Sequence, residues 1–267
     1  MRPPASRLVP HVPRKRFGQH FLVDRTVVAS IVEAISPQAG DHLVEIGPGL
    51  GALTEPLLQR LPGLDAVEID RDLAAALAAR FGPERLRMHL ADALRFDFCA
   101  LGAPLRLVGN LPYNISTPLL FHLAACTTCL QDCHFMLQRE VVRRIAAGPG
   151  SKEYGRLTVM LQYRFEVREL LPVAAGAFRP VPAVESMLVR LTPRRPLPWP
   201  ARDESRFAAL VAKAFTQRRK TLRNALRDRV EEDDFAAAQI DPGLRPEALS
   251  VAQFVRLADV VSAKRCT

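Results

Sequence analysis

One short run of the sequence suits chemistry on an amino group attached to an aromatic ring: Asn110, Leu111, Pro112 and Tyr113. The amide oxygen of Asn110 and a backbone carbonyl beside Pro112 can accept the two N–H bonds of such an amine, which favours a tetrahedral nitrogen with an exposed lone pair. Proline fixes the direction of that carbonyl and brings no competing N–H. The ring of Tyr113 offers a face on which a flat base can stack. The run therefore indicates an acceptor site for group transfer to the nitrogen.

A glycine-rich turn, Glu45–Gly51, stands between a predicted strand and a predicted helix. Glycine lets backbone N–H groups come close to a ligand, and the ligands of open α/β sheets lie at the carboxyl ends of the strands. The spacing is Gly-x-Gly-x-Gly, with Ala52 where a dinucleotide fingerprint has its third glycine, so a pyrophosphate is not required. A tight turn without a ligand is the alternative.

Two carboxylates stand at the ends of the next two predicted strands. Glu68 lies 21 residues beyond Gly47 and can accept two hydrogen bonds from the hydroxyls of an adenosine ribose. Asp92 can accept a hydrogen bond from the adenine amino group. Both residues could instead be ordinary solvent-facing acids, but three strand ends with matching chemistry favour an adenosine-containing ligand.

Helical and strand-like patterns alternate from residue 24 onward. The predicted strands cover residues 42–46, 64–69, 86–90, 105–108, 135–137 and 184–191. The predicted helices cover residues 24–36, 52–60, 71–81, 116–125, 138–147 and 155–162. The alternation predicts an α/β fold with a doubly wound, mostly parallel sheet, followed by a small all-helical C-terminal domain.

A proline-rich stretch at residues 193–201 predicts a stiff linker. It divides an α/β domain at residues 14–192 from a helical domain at residues 202–267. Residues 1–13 are predicted to be a disordered lead-in. An Arg-rich targeting peptide is the alternative, but four prolines would break its helix and no apolar signal core is present.

The composition excludes several classes of protein. With 267 residues, 48% of them hydrophobic and 24% charged, the chain can bury one large core or two unequal ones, which excludes a disordered or fibrous protein. Gly, Pro or a charge interrupts every apolar stretch before about 18 residues, so no membrane span is predicted. Five Cys at irregular spacing predict reduced thiols and a cytosolic compartment.

A group of cysteines superficially resembles a metal cluster: Cys126, Cys129 and Cys133, followed by His134. The group would have to span a helix end and a strand start, and Cys133 and His134 would point to opposite faces of a regular strand. Free thiols and no metal site are therefore predicted.

Positive charge is concentrated in two segments of a chain whose formal net charge is +9. Residues 1–23 carry +5 and residues 213–229 carry +6, so the rest of the chain carries −2. Segregated positive charge suits binding to a phosphate backbone, because each neutralised phosphate releases counterions. A solvated helix face with a flexible tail is the alternative.

Six motifs follow one another along the chain. They are Arg14–Leu22, Glu45–Gly51, Asn110–Tyr113, Tyr154–Leu157, Phe178–Ser186 and Phe215–Asn224. Their order resembles that of the KsgA/RsmA family, the small-subunit ribosomal RNA adenine dimethyltransferases. The resemblance covers nearly the whole chain from residue 14, and the full set is highly specific where each motif alone is not. It implies a class I methyltransferase fold in which residues 14–192 bind S-adenosylmethionine and residues 202–267 bind RNA.

The resemblance also implies a reaction and a partner. The expected reaction is S-adenosylmethionine-dependent dimethylation of the N6 amino group of two adjacent adenosines near the 3′ end of 16S rRNA, with a role in subunit biogenesis. The expected partner is 16S rRNA within the small (30S) ribosomal subunit or its precursor. The protein is expected to be a cytoplasmic monomer without membrane association.

Roles for individual residues come from the same resemblance. The implied cofactor-binding residues are His20, Leu22, Gly47, Glu68, Asp92 and Asn110. The implied catalytic residues are Asn110, Leu111, Pro112, Tyr113 and Phe178. The implied RNA-binding residues, in a distal basic helix, are Arg218, Arg219, Lys220 and Arg223.

The expected roles of His20 and Phe178 each leave a question open. Many family members have Asn where this chain has His20; imidazole can also donate or accept one hydrogen bond, so the contact is expected in altered form. Phe178 is expected to flank the target base opposite Tyr113, and simple core packing is the alternative.

Two other kinds of function remain open. One is methylation of another polymer, by a DNA adenine methyltransferase or a large-subunit rRNA enzyme of the erythromycin-resistance type, although residues 217–224 favour the small-subunit enzyme. The other is a ribosome-assembly or transcription factor that has lost catalysis, which the intact Asn110 and Tyr113 disfavour.

Overall fold

The computed structural model describes residues 19–217 and 219–264. The predicted lead-in at residues 1–13 and the basic residue Arg218 lie outside the described residues. Within them the strands are β1 (Phe21–Leu22), β2 (His42–Ile46), β3 (Leu64–Glu68), β4 (Leu86–Leu90), β5 (Leu105–Asn110), β6 (Leu130–Gln138), β7 (Phe165–Val173), β8 (Phe178–Arg179) and β9 (Ser186–Pro193). The α-helices are α1 (Arg25–Ile35), α2 (Thr54–Leu58), α3 (Arg71–Phe81), α4 (Ser116–Ala125), α5 (Arg139–Ala146), α6 (Arg156–Arg164), α7 (Glu204–Ala214), α8 (Leu222–Leu226), α9 (Glu232–Ala237) and α10 (Val251–Lys264).

Local sequence sets the start and the buried face of α1. The side chain of Asp24 accepts hydrogen bonds from two backbone N–H groups of the first turn, the nearer at 2.8 Å. Ile31, Val32 and Ile35 are buried, which is the spacing of one helix face. Both features confirm the helix predicted at residues 24–36.

A seven-stranded sheet has the order β4-β3-β2-β5-β6-β9-β7. The pairs β4 with β3, β3 with β2, β2 with β5 and β5 with β6 are parallel. Parallel strands end at the same edge of a sheet, so the carboxyl ends of β2 to β5 lie together, and the strand order reverses between β2 and β5. The predicted fold class, a mostly parallel sheet with helices and a helical C-terminal part, is confirmed.

Three strands lack a local signal in the sequence. In β7 the charged residues Glu166 and Arg168 and the proline Pro172 interrupt the apolar pattern, and the strand forms beside β9 in the sheet. β1 and β8 have two residues each and pair antiparallel with one another. Their pairing joins segments that are far apart in the sequence.

One core cluster joins apolar residues of α1, α2 and α3 to those of β2, β3 and β4. Its fully buried members include Ile31, Leu43, Leu57, Leu64, Leu77 and Leu86. Burial of such side chains stabilises the fold by about 1.5–3 kcal/mol each. This core fixes the strands whose ends carry the glycine turn and the two predicted carboxylates.

The chain forms two compact units. The first contains residues 19–122, 128–139 and 169–190, and the second contains residues 123–127, 140–168, 191–217 and 219–264. In the second unit, Val159 and Tyr163 of α6 pack in one cluster with Phe207 of α7. The predicted boundary at residues 193–201 therefore does not separate the two units, because α6 and most of α5 join the C-terminal helices.

Cys99 and Cys129 form a disulfide, with 5.4 Å between their Cα atoms. Two short 3-10 helices carry them, Phe98–Leu101 just before β5 and Thr127–Cys129 just before β6. Because β5 and β6 are neighbours, the cysteines meet, and the prediction of reduced thiols is wrong for this pair. The cytosolic compartment, which was inferred from reduced thiols, stays a prediction.

Two absences concern the part of the chain that the structure describes. There, no group of three or more His, Cys, Asp or Glu residues is arranged to hold a metal ion. Nor does any helix there combine the length and the apolar character that crossing a bilayer requires.

Candidate active site

A cavity of about 280 Å³ opens at the carboxyl ends of the parallel strands. All six residues predicted to bind the cofactor line it: His20, Leu22, Gly47, Glu68, Asp92 and Asn110. Four of the five predicted catalytic residues line the same cavity: Asn110, which belongs to both sets, Leu111, Pro112 and Tyr113. The two sets that the sequence places on separate motifs therefore meet in one space, within the first unit.

The glycine turn after β2 forms one wall of the cavity. Gly47 has a φ of +68°, which favours glycine, and its N–H donates to the Val67 carbonyl at 2.9 Å. A Cβ atom on Gly49 would lie 3.1 Å from the ring of Phe21, so the turn also packs closely against β1. The turn is thus held by β3 on one side and by β1 on the other.

Glu68 ends β3 and is 6% exposed. Its carboxylate accepts hydrogen bonds from the N–H of Asp70 at 2.9 Å and from the N–H of Gly49 at 3.3 Å. Burial raises the pKa of Glu68, while these backbone bonds act to lower it. No cation is among its bonding partners in the described residues. Glu68 lines the cavity, and its carboxylate has acceptor positions left for a ligand there.

Glu45 is a second buried carboxylate at this wall, and sequence reasoning did not assign it a role. It is 2% exposed and accepts a hydrogen bond of 2.6 Å from the Thr54 hydroxyl at the start of α2. Burial raises the pKa of Glu45 to about 7, with a smaller contribution from repulsion by Glu68. Its place at the start of the Glu45–Gly51 turn is the only feature of the sequence that points to it.

Asp92 lies just after β4, where its carboxylate accepts a hydrogen bond of 2.9 Å from the N–H of Leu94. This bond fixes the side chain in the turn that follows the strand. A carboxylate has about four acceptor positions, so Asp92 can still accept from an amino group in the cavity. Together with Glu68 it gives the cavity two acidic acceptors on neighbouring strands.

Asn110 ends β5 and has a defined amide orientation. Its Nδ2 donates to the backbone carbonyl of His20 at 2.8 Å. This bond uses the amide nitrogen, so the atom that can serve a substrate amine is the oxygen, as the sequence predicts.

Pro112 shows which carbonyl of the motif can act as an acceptor. The Pro112 carbonyl already accepts from the Ser116 hydroxyl at 3.0 Å and from the Ile115 N–H at 3.1 Å. The Leu111 carbonyl, which belongs to the peptide bond preceding Pro112, is therefore better suited to accept from a substrate.

The ring of Tyr113 has two defined neighbours. The imidazole of His20 stacks on it, with ring centroids 5.5 Å apart and an angle of 27° between the planes. The Tyr113 hydroxyl lies 2.7 Å from the hydroxyl of Ser186, which the sequence showed only as the end of a motif. Burial raises the pKa of Tyr113, so its hydroxyl is neutral near neutral pH.

The small sheet of β1 and β8 brings the N-terminal segment to the cavity. Leu22 pairs with Phe178, and Nδ1 of His20 donates to the Pro180 carbonyl at 2.8 Å. A carbonyl only accepts, so this bond places a proton on Nδ1. The structure thereby brings His20 and Leu22 beside Asn110.

Phe178 is fully buried and belongs to the core cluster, together with Leu22 and Val173. It does not line the cavity. Phe178 therefore packs in the core, which is the alternative that the sequence left open. It does not flank the cavity opposite Tyr113.

The described residues of the predicted RNA-binding set lie on the second unit and are exposed. Arg219 and Lys220 are in a turn, and only Arg223 lies in α8, so the expected distal basic helix is wrong for the first two. Arg223 forms an ion pair of 2.5 Å with Glu232, in which both side chains are 61% exposed. Such a pair contributes about 0–1 kcal/mol and can exchange for a phosphate.

Taken together, the cavity offers acidic acceptors for a nucleoside beside an amide oxygen, a backbone carbonyl and an aromatic ring. The first set suits a nucleoside cofactor, and the second suits a flat base with an exocyclic amine. Group transfer between two such ligands requires alignment more than acid or base catalysis when the donor is already activated.

The chain is similar to several known proteins. "Ribosomal RNA small subunit methyltransferase A" of Laribacter hongkongensis is 60% identical over 251 residues, which are 93% of this chain and 96% of the relative. A solved dimethyladenosine transferase of Plasmodium falciparum has a TM-score of 0.74 at 23% identity, over 89% of this chain and 96% of that one. The solved 23S rRNA methyltransferase ErmE has a TM-score of 0.71 at 25% identity, over 91% of this chain and 99% of that one.

These likenesses confirm the class I methyltransferase fold. The family described as Ribosomal RNA adenine dimethylase matches residues 11–263. With a match over nearly its full length, the chain belongs to the ribosomal RNA adenine dimethylase family.

Proposed function

We propose that this protein is a 16S rRNA (adenine-N6,N6)-dimethyltransferase that uses S-adenosylmethionine. Its substrates would be two adjacent adenosines near the 3′ end of 16S rRNA, within the 30S subunit or its precursor, which gives it a role in subunit biogenesis. The observation that carries the proposal is the single cavity in which Glu68 and Gly47 face the same space as Asn110 and Tyr113. Support comes from relatives named as small-subunit methyltransferases.

The residues present fit S-adenosylmethionine. Glu68 would accept hydrogen bonds from the two ribose hydroxyls, Asp92 would accept from the adenine amino group, and Gly47 leaves room for close approach of the backbone. His20 and Leu22 would contact the cofactor from the N-terminal segment. When bound, the cofactor supplies a methyl group that is already activated on a positively charged sulfur.

Asn110 and Leu111 would orient the target amine. The amide oxygen of Asn110 and the Leu111 carbonyl accept its two N–H bonds, which draws the nitrogen towards a tetrahedral geometry. The lone pair, otherwise delocalised into the adenine ring, is then directed at the methyl group. Because the amine becomes positively charged during transfer, both acceptors bind it most strongly in the transition state.

Tyr113 would hold the adenine ring after the base has left its own stack in the RNA. Stacking on an aromatic side chain contributes about 1–3 kcal/mol per base. The target nucleotide must be unstacked to reach a cavity at the sheet edge, and this costs a few kcal/mol. Two successive methyl transfers require that a monomethylated amine can be bound again in the same place.

The exposed cations Arg219, Lys220 and Arg223 would bind the RNA backbone, together with Arg218. Changing Arg219, Lys220 and Arg223 to Glu should weaken binding of 30S particles and flatten its dependence on salt, because fewer counterions are released. Cofactor affinity, measured by calorimetry, should stay unchanged. An unchanged salt dependence would show that these residues form only a solvated surface.

The deciding experiment is mass spectrometry of adenosine modifications after incubation with S-adenosylmethionine. Unmethylated 30S particles should yield N6,N6-dimethyladenosine at two neighbouring positions, whereas 23S rRNA and duplex DNA should yield none. Only monomethyladenosine at saturating cofactor, or modification of 23S rRNA or DNA instead, would contradict the proposal. Cofactor binding without methyl transfer to any of the three would indicate an assembly factor that lacks catalysis.

A further inference from the structure

The ring of Tyr113 is held at two places by parts of the chain outside its own motif. Its hydroxyl group lies 2.7 Å from that of Ser186, and the imidazole of His20 stacks on one of its faces. The first contact fixes the end of the ring, and the second covers one side. Tyr113 and His20 both line the cavity, so a base that stacks on the Tyr113 ring must use the face that His20 does not cover.

Ser186 is suited to fixing the ring because it cannot move easily itself. It is the first residue of β9, a strand of the seven-stranded sheet, and it is fully buried. A hydrogen bond shielded from water is strengthened by its surroundings, and its loss leaves a polar atom without a partner. The hydroxyl pair is therefore a rigid link between the sheet and the ring.

We infer that Ser186 is a positioning residue for base capture: it holds Tyr113 so that the face opposite His20 is presented to the target adenine. The inference rests on the proposed function. The RNA particle docks through phosphate contacts, and the base enters the cavity afterwards. A loosened ring therefore lowers the rate of transfer within the docked complex and leaves the affinity of docking unchanged.

The test is a double-mutant cycle on the hydroxyl pair. Single-turnover methyl transfer to 30S particles, at saturating protein and cofactor, is measured for the wild type, Ser186→Ala, Tyr113→Phe and the double variant. Each single change should lower the rate about 3- to 10-fold, the effect of one hydrogen bond. The double variant should lose no more than the worse single variant, because both changes remove the same bond.

Two further measurements separate positioning from a general loss of structure. The half-saturating concentration of 30S particles and the cofactor dissociation constant should stay unchanged in each single variant, and Tyr113→Ala should lose more activity than Ser186→Ala. Ser262→Ala is the matched control, since Ser262 is a buried serine of α10 in the second unit, and it should keep the wild-type rate.

An unchanged rate in folded Ser186→Ala, or losses that multiply in the double variant, would overturn the inference. If Ser186→Ala does not fold, Tyr113→Phe keeps the ring and removes the same bond, and an unchanged rate in that variant would overturn it equally. A wild-type protein that transfers no methyl group to 30S particles would instead overturn the proposed function, and the inference with it.

Discussion

Buried carboxylates at the two edges of the parallel strands have pKa values shifted in opposite directions. At the amino edge, Asp65 of β3 accepts hydrogen bonds from Arg87, His42 and His89, and these bonds lower the pKa of Asp65 against the effect of burial. At the carboxyl edge, Glu45 and Glu68 are bonded to a hydroxyl and to backbone N–H groups, and burial raises the pKa of both.

A second carboxylate at the amino edge has the same character as Asp65. Asp132 of β6 is bonded by Arg106 through two nitrogens, each at 3.0 Å, and Arg106 also bonds Asp41 at 2.6 Å. Burial opposes ionisation of Asp132, but the nearby imidazole of His134, 3.6 Å away, and the bonds from Arg106 lower the pKa of its carboxyl group.

The carboxylates at the two edges of the sheet therefore have different roles. Cations bond the carboxylates of the amino edge, so those residues have little acceptor capacity left for a ligand, and removal of a cation would leave a buried charge unpaired. The carboxylates of the carboxyl edge are held without a cation and their pKa values are raised, so they keep acceptor capacity for a ligand at some cost in stability. Substitutions at the two edges should therefore change different measurements.

The largest effect is expected for Arg106→Met at the amino edge. The Arg106 side chain is 8% exposed, and its loss leaves two buried carboxylates without their cation. The free energy of unfolding, measured with urea, should fall by about 3–5 kcal/mol. Arg87→Met is the matched control: its side chain is 63% exposed, and it should lose about 1 kcal/mol or less. Equal losses would mean that the buried network is not what stabilises this edge.

Asn110→Ala at the carboxyl edge should lower activity and leave stability nearly unchanged. Methyl transfer should fall by about 10²- to 10³-fold, because a group that acts in the transition state is lost, while the fold and most of the cofactor affinity remain. Single-turnover kinetics and calorimetry check the two parts. A variant that keeps more than about a tenth of the wild-type rate would limit Asn110 to its structural bond with the His20 carbonyl.

Glu68→Ala should weaken cofactor binding by about 1.5–3 kcal/mol, since two ribose hydroxyls lose a charged acceptor. Calorimetric titration with S-adenosylmethionine measures the effect. The matched control is Glu33→Ala, because Glu33 is an exposed glutamate of α1 with a side chain that is 76% exposed. Equal affinities for Glu68→Ala and wild type would remove Glu68 from the site.

Glu45→Gln should stabilise the protein in alkaline solution. The pKa of Glu45 is raised from 4.5 to about 7, so stability that is present below pH 4.5 is lost as the pH rises through 7. Gln keeps an oxygen for the Thr54 hydroxyl and does not ionise. In thermal unfolding, the free energy of unfolding of the variant should exceed that of the wild type by about 1–2 kcal/mol at about pH 8 and by much less at about pH 5. A difference that does not vary with pH would contradict this assignment.

Asp65→Asn should give the smallest effect, with the opposite sign of pH dependence. The pKa of Asp65 is lowered in the folded state, so its contribution is present above the unfolded value of about 3.9 and is lost as the pH falls below it. The variant should be less stable than wild type by about 1 kcal/mol at neutral pH, since its partners are partly exposed. The gap should narrow below about pH 4, as acid unfolding curves would show.

Most of the site was predictable because its residues follow strands with strong local signals. β2 to β5 are short segments with three apolar side chains each, and Gly47, Glu68, Asp92 and Asn110 stand at or just after their ends. Since parallel strands end at one edge, the sequence alone indicates that these residues meet.

The remaining features depend on contacts between distant parts of the chain. The link from Tyr113 to Ser186 spans 73 residues, and the disulfide joins cysteines that are 30 residues apart. Nothing local to Phe178 distinguishes a core ring from one that faces the cavity. Such contacts are set by the tertiary fold, which no pattern within a window of residues records.

The pairing of β1 with β8 has a consequence for synthesis on the ribosome. A nascent chain that ends before Phe178 already contains β2 to β6, but it lacks the strand that holds Leu22 at the cavity and the Pro180 carbonyl that binds His20. The cofactor wall is therefore completed only after about two thirds of the chain has emerged. Protection of nascent chains by S-adenosylmethionine against proteolysis should begin at that length and not when the glycine turn appears.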